Sequence, residues 1–455
     1  MDKQWSEMTP EEKREQRFQW MLSPDGISFP SAEAEQAYKK RIQALIDVYH
    51  VREPEVVPVN LPIGNLPFAA AGVTYHDLMY EPGKARAAAA KFTAETGLDA
   101  PLGVSALPGR VLDLLDYKLY NWPGHGLGVN APGYQFNEGE YMTADEYDQL
   151  IRDPSNFWTR VYFPRIFGAL EPFRLLRPVT DVTEIVQVVS HFAPYARIEV
   201  RQALQRLIEV GEELSRWTEG AGGARRGGGS ATPGLMNTFA KAPFDTIGDT
   251  LRGTKGIMLD MRRHPDKLLA ALDAIAEVSI ANAVETLNAG RGLMAYFPLH
   301  KGADGWMSQQ QFETFYWPSL RKVIWGLIDE GIQVMLFAEG SYDSRLELVH
   351  EFPKGTVAWL FDRTDMARAK RILGDKCCIS GNVPASLLTA GSAEEVKEYC
   401  RKLIEDCAPG GGYILAAGTA QVDNISFENI RAMAEAAQEY GVYRKAGTGP
   451  GSPAT

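Results

Sequence analysis

Five short apolar runs in the second half of the chain each end in a polar, glycine-containing turn, and this pattern restricts the fold more than any other feature. Leu293–Leu299 leads into His300-Lys301-Gly302-Ala303-Asp304-Gly305-Trp306, and Val334–Ala338 into Glu339-Gly340-Ser341-Tyr342. Thr356–Phe361 leads into Asp362-Arg363, Cys377–Ser380 into Gly381-Asn382, and Tyr413–Ala417 into Gly418-Thr419. A strand buried on both faces reads as a continuous apolar run, and parallel sheets deliver functional side chains at strand carboxyl ends. Five strand ends are therefore expected at one rim. Helix-prone stretches at 308–330, 344–352, 364–373, 392–407 and 426–440 separate or follow them. Strand and helix alternating through short loops is the trace of a (β/α)8 barrel or a doubly wound sheet.

The N-terminal half follows the plan less regularly. Glu55–Leu61 is the first strand candidate, Pro62–Pro67 a Gly/Pro-rich loop, 81–96 a helix and Ala100–Ser105 the next strand, which together make a βαβ signature. Before them, Thr9-Pro10-Glu11-Glu12 supplies a cap, a first-turn proline and acids for one helix, and Ser31–Tyr49 reads as another. Neither carries an obvious chemical group, so both are expected to serve packing or oligomer contacts, a homodimer included. Residues 117–148 are long, aromatic and glycine-rich, with Trp122, Tyr134, Phe136, Glu138, Glu140 and Tyr141. The aromatics point to an ordered lid over a pocket, whereas Glu138 and Glu140 read equally as solvated acids. After a helical stretch from 154 to 217, the glycine-rich segment 219–234 with Arg225-Arg226 reads as a mobile surface loop or as an anion cradle. The expected organisation is a helical extension at 1–50, a barrel at 51–443 and a disordered tail at 444–455.

A formal net charge of -11 argues against nucleic acid or an anionic membrane as the main partner. No apolar run approaches the roughly 20 residues of a membrane span, and the first residues lack the basic and apolar regions of a signal peptide, so a cytoplasmic chain is expected. Cys377, Cys378, Cys400 and Cys407 have no Cys-x-x-Cys spacing and read as buried thiols. The adjacent pair shares one expected strand, so its side chains point to opposite faces.

Gly381-Asn382-Val383-Pro384, the strand-ending Asp362, and Gly418 followed by Glu428-Asn429 at a helix start occur in an order that resembles the uroporphyrinogen decarboxylase superfamily. The resemblance runs from about Asp245 to Tyr443 and implies a (β/α)8 TIM barrel whose site lies at the C-terminal rim, near Asp362, Asn382 and Gly418. That superfamily contains the haem-pathway decarboxylase and the corrinoid- and zinc-dependent methyltransferases, and the departures choose between branches. Decarboxylases carry an arginine-rich motif after the first strand, because their substrate presents eight carboxylates; here Leu61–Phe68 holds no cation. Thr419 stands where they have a histidine. The methyl-transferring branch has His-x-Cys after one strand and Cys after the last, where this chain has Phe337-Ala338-Glu339 and Thr419, so transfer to a zinc-bound thiolate is not expected. The His300–Gly305 and Ala338–Tyr342 motifs look like those of relatives associated with corrinoid methyl-transfer systems.

The resemblance thus implies a methyltransferase moving a methyl group between a small aromatic or apolar substrate and the cobalt of a corrinoid (cobalamin). No Asp-x-His-x-x-Gly corrinoid signature occurs here, so a partner protein would carry it. The alternative is a lyase acting on a porphyrinogen. An alkoxide or phenolate leaves poorly, so the enzyme must supply a proton or a Lewis acid. His300 and Glu339 end consecutive strands and could act directly, or ligate zinc with a third ligand such as Asp304, Tyr342 or Asp362. His300 reads equally as a structural imidazole, Lys301 as a solvated side chain, and Asp362-Arg363 as a rim ion pair. A carboxylate ending Met335-Leu336-Phe337-Ala338 is harder to explain structurally, since burying an unpaired charge is costly. The catalytic candidates are Glu339, His300 and Asp362, and His300 with Glu339 is the candidate metal pair. Tyr342, Asp304, Trp306, Asn382, Tyr296 and Glu140 are the expected substrate contacts.

Overall fold

The computed structural model describes residues 3–23, 29, 31–96, 107–220, 236–419 and 425–443. Seven parallel strands form one curled sheet: β1 (Val59–Asn60), β2 (Met236–Phe239), β3 (Met294–Leu299), β4 (Gln333–Ala338), β5 (Val357–Phe361), β6 (Cys378–Val383) and β7 (Tyr413–Ala417). Their order is β1-β7-β6-β5-β4-β3-β2, so the last strand returns to pair with the first through Val59 and Leu415. This is the TIM-barrel-like α/β arrangement expected from the alternation. β1 and β2 stand at the two edges. The strand expected at Ala100–Ser105, between them in the chain, lies outside the described residues, as do most of the glycine-rich segment and the tail from residue 444.

Period-two alternation sorts each strand into a lumen face and a helix face. Ala295, Phe297, Leu299, Val334, Leu336, Trp359 and Phe361 join the main core. Against it pack α3 (Pro265–Ala289), α4 (Trp317–Asp329), α5 (Met366–Leu373), α6 (Ala393–Cys407) and α7 (Phe427–Tyr440). On the lumen face, Met294, Ala358, Cys378 and Ile414 form a tier near the strand starts. Above them lies an apolar tier of Tyr296, Phe337, Leu360 and Ala416. Two residues further along the same faces come Glu339, Asp362 and Gly418, and four beyond Tyr296 comes His300. Cys377 and Cys378 divide between these two cores, as neighbours on a strand must. All four thiols are buried and free.

The lumen's lower end is closed by α1 (Pro10–Leu22) and α2 (Ala32–Tyr49), whose Phe18, Met21, Tyr38, Ile42, Ile46 and Tyr49 pack on the lowest tier. Two buried arginines fasten this plug. Arg14 donates to Gln333 Oε1 at 3.0 Å, to the Tyr49 carbonyl at 3.2 Å and to the Gly355 carbonyl. Arg17 donates to the Gly292 carbonyl at 2.6 Å, the Glu330 carbonyl at 3.1 Å and Asn288 Oδ1 at 2.5 Å. Burial lowers both guanidinium pKa values to about 10, which leaves them charged at neutral pH.

Two expectations change. Residues 344–352 form turns rather than a helix, because Ser344 and the buried Arg345 spend their donors on Asp304, Gln309 and the Met307 carbonyl. The long 117–148 connection contains a small sheet in which Tyr120–Pro123 pairs with Gly126–Leu127 and Gln135–Phe136. No helix among the described residues is long and apolar enough to cross a membrane.

Arg17→Met removes three hydrogen bonds and leaves two loop carbonyls without this donor, so urea unfolding should show a loss of about 2–4 kcal/mol. Arg17→Lys should recover part of it, since one ammonium cannot reach all three acceptors.

Candidate active site

The polar tier is centred on a residue that sequence reasoning passed over. Pro243–Asp245 opens a helical segment that continues through Thr246–Leu251, and its four-residue spacing puts Asp245 and Asp249 one turn apart on one face. Asp249 Oδ2 lies 2.6 Å from His300 Nδ1 and 2.7 Å from Lys241 Nζ, and its Oδ1 lies 2.8 Å from Lys301 Nζ. Burial would raise the Asp249 pKa, but the His300 and Lys241 contacts outweigh it and hold the carboxyl well below the ordinary range.

Asp245 is fully buried and faces the same turn. Its Oδ2 accepts from the His300 backbone N–H at 3.0 Å and from the Tyr316 hydroxyl at 2.7 Å, and its Oδ1 accepts from the Lys301 N–H at 3.1 Å. Burial, reinforced by the Asp249 charge, raises its pKa to about 6. Neighbouring carboxyls are thus driven in opposite directions by their surroundings.

His300 is half-buried. With Nδ1 on Asp249, its Nε2 faces Glu339 Oε1 at 3.8 Å. Burial disfavours the imidazolium, yet the Asp249 hydrogen bond and charge, with Asp245 and Glu339 adding to them, raise the pKa above its ordinary value. Burial likewise raises Glu339, with His300 opposing and Asp362 and Asp249 adding to the rise. The result is an imidazole biased toward its protonated form beside a half-exposed carboxyl, directly over an apolar tier.

The remaining candidates divide. Tyr296 lies in that tier below Glu339, and burial keeps its hydroxyl protonated. Trp306 packs edge-on against Phe244 at 5.7 Å and has Lys301 Nζ over its ring at 5.4 Å. Asp362 is at the rim, where it accepts from the Gly340 N–H at 2.9 Å and lies 3.7 Å from an exposed Arg363. Asn382 donates to the Asp362 and Thr364 carbonyls at 3.1 and 2.8 Å and so fixes the adjoining turn. Gly381 before it adopts a φ of 115°, and a Cβ there would lie 2.6 Å from the Phe361 carbonyl oxygen. Asp304 ties two loops together by accepting from Ser341 and Ser344, and Tyr342 is buried beneath the rim with its hydroxyl on the Leu299 carbonyl. Lys301 is buried and ion-paired rather than solvated.

Glu140 pairs with Arg252, which also holds Asp260 at 2.6 Å. Around this pair the aromatic connection docks beside the site. Tyr141 and Met142 donate their backbone N–H groups to the Leu251 carbonyl at 2.8 and 2.9 Å, and Glu138 accepts from the Thr254 N–H. Gly253, with a φ of 67°, lets the Gly139 carbonyl approach to where a Cβ would stand 3.0 Å away.

The candidate metal pair, His300 and Glu339, stands 3.8 Å apart with the imidazole Nε2 turned toward the carboxyl. His300 Nδ1 is committed to Asp249, and among the described residues no three His, Cys, Asp or Glu side chains form a group able to hold a metal ion.

Residues 227–440 match the family described as uroporphyrinogen decarboxylase (URO-D). The chain is similar to the uroporphyrinogen decarboxylase of Thioalkalivibrio sulfidiphilus, with 24% identity over 315 residues covering 68% of this chain and 75% of the relative. It is also similar to that of Saccharophagus degradans, with 24% identity over 263 residues covering 56% and 71%. Among solved structures, a methyltransferase from Methanosarcina mazei superposes with a TM-score of 0.54 at 15% identity, covering 89% of this chain and 98% of that one. At this identity the likeness establishes the fold.

Asp249→Asn should lower the His300 pKa, because burial then acts on the imidazole without its principal counter-charge. An NMR titration of the histidine ring nitrogens measures it, and an unchanged value would contradict the role given to Asp249.

Proposed function

We propose a methyltransferase, on the premise that the chain belongs, through residues 227–440, to the uroporphyrinogen decarboxylase superfamily. The group moves between a small aromatic or apolar substrate and the cobalt of a corrinoid carried by a separate protein, the corrinoid entering as second substrate. The observation that carries this reading is the His300 imidazole, held by Asp249 on one nitrogen and turned by the other toward Glu339 above an apolar tier. The methyltransferase named among the fold neighbours supports it.

The chain's contribution is to place the methylated heteroatom and to protonate it. When the methyl–oxygen bond breaks, the methyl group passes to the metal nucleophile's electron pair and the bonding electrons stay on oxygen. His300 gives its Nε2 proton to that oxygen and becomes neutral. Asp249 keeps the proton on Nδ1 and so fixes the tautomer. Glu339, whose carboxyl burial raises above its ordinary range, faces Nε2 at 3.8 Å and can relay a solvent proton back to it. Tyr296 and Phe337 below present an apolar floor that weakens competing water and strengthens the charge interactions above it.

A lyase acting on a porphyrinogen is the second reading, favoured by the names of the relatives. It fits the charges less well. Lys241 and Lys301 are both committed to Asp249, and the strand ends beside them carry the Glu339 and Asp362 carboxyls rather than cations where a polycarboxylate would sit. Incubation with uroporphyrinogen decides it: loss of carboxylates would replace the methyl-transfer reading.

With reduced cobalamin and methoxylated aromatic donors, the wild-type chain should form methylated cobalamin, read by absorbance; no formation with any donor would sink the proposal. His300→Ala should slow transfer about 10²-fold or more. Glu339→Gln should cost about tenfold or more while keeping the shape of the site. Because the acid form of His300 is the active one and its pKa is raised, the rate should fall as pH rises through that pKa, and His300→Ala should abolish this limb.

A further inference from the structure

Resting on the proton role given to His300, we propose that Asp245 is a positioning residue that clamps the His300–Lys301 turn and thereby aims the imidazole at both Asp249 and Glu339. Its carboxylate accepts from two consecutive backbone N–H groups, those of His300 and Lys301, and from the Tyr316 hydroxyl. Consecutive N–H groups on one carboxylate fix both ends of the intervening peptide, and with it the direction of the His300 Cα–Cβ bond. A ring anchored in this way reaches Asp249 at 2.6 Å and Glu339 at 3.8 Å without searching other rotamers.

The placement is costly if it serves stability alone. Asp245 has no exposed surface, no cation among its hydrogen-bonding partners, and the charge of Asp249 one turn away. With a folded pKa of about 6, it favours the folded state below its ordinary range, and that contribution is lost as pH rises through about 6. A neutral side chain would relieve this penalty, so the ionised form at neutral pH is accounted for by the acceptor geometry it provides. Tyr316 belongs to the same clamp. It is fully buried beside Tyr342, and burial together with Asp245 holds its hydroxyl protonated as a donor.

Asp245→Asn keeps the volume but exchanges one acceptor for a donor facing N–H groups, whereas Tyr316→Phe removes a single hydrogen bond and is the milder variant should the first fail to fold. Both are made in the full chain, alone and combined with His300→Ala. Asp245→Asn is expected to lower kcat about tenfold to a hundredfold with KM within about twofold, a misplacement effect, and Tyr316→Phe to lower it less. Neither should lower turnover further once His300 is alanine. The second readout needs no turnover: in ¹⁵N-labelled protein the His300 Nδ1–H signal, held by Asp249, should shift or broaden in both variants. The groups facing this imidazole, Asp249, Glu339, Lys241, Lys301 and Asp362, are unaltered by either substitution. Losses that add fully to those of His300→Ala, or an unmoved His300 signal in a folded variant, would overturn the clamp. If the wild type transfers no methyl group, the methyl-transfer reading fails, and the imidazole signal still decides the clamp.

Discussion

The polar rim depends on one buried ion cluster, the Asp249 carboxylate gathering His300, Lys241 and Lys301. Charges taken out of water persist only where they are matched, and here a single anion is matched several times over. The excess has consequences for every neighbour. Both lysines are spent, so neither is free to hold an anionic substrate, and the imidazole pKa is raised despite burial. Glu339 and Asp362 are left as the carboxylates that face the open end of the lumen. The segment bearing Asp249 also receives the aromatic connection, through the Leu251 carbonyl, Arg252 and Thr254. A change in this segment would therefore reach both the His300 imidazole and the connection docked beside it.

The tiers of the lumen explain why chemistry is confined to one end. The lowest lumen tier is packed from below by α1 and α2, fastened by Arg14 and Arg17, and the tier above it is apolar. The titratable side chains His300, Glu339 and Asp362 come where the strands stop and the turns begin. Substrate must then enter from the rim, and anything placed there has an apolar surface on one side and fixed charges on the other. Such a boundary lets a proton donor act with little competition from bulk water.

The relatives named as decarboxylases and the methyltransferase among the fold neighbours illustrate how little a barrel commits a chain to one reaction. The same scaffold can support either outcome. Here the rim pairs an imidazole with carboxyls and leaves no uncommitted cation at Asp249.

The sequence by itself determined the strand ends. Period-two burial forces His300, Glu339 and Asp362 to follow apolar runs onto the lumen face, and that local rule survives any tertiary context. It likewise separated Cys377 from Cys378. What it left open was pairing over distance. Lys301 reads as a solvated lysine until a segment 52 positions earlier places Asp249 against it. Asp304 and Tyr342 carry the right chemistry but are drawn into loop and backbone contacts by partners that no spacing reveals. The turns at 344–352 displaced a helix-prone stretch because Arg345 found acceptors on another loop. Only the Asp245/Asp249 spacing, one helical turn, carried a usable hint. Alternation is a property of one strand, whereas the compensation of buried charge belongs to whichever segments the curled sheet brings together, and that was for the tertiary structure to decide.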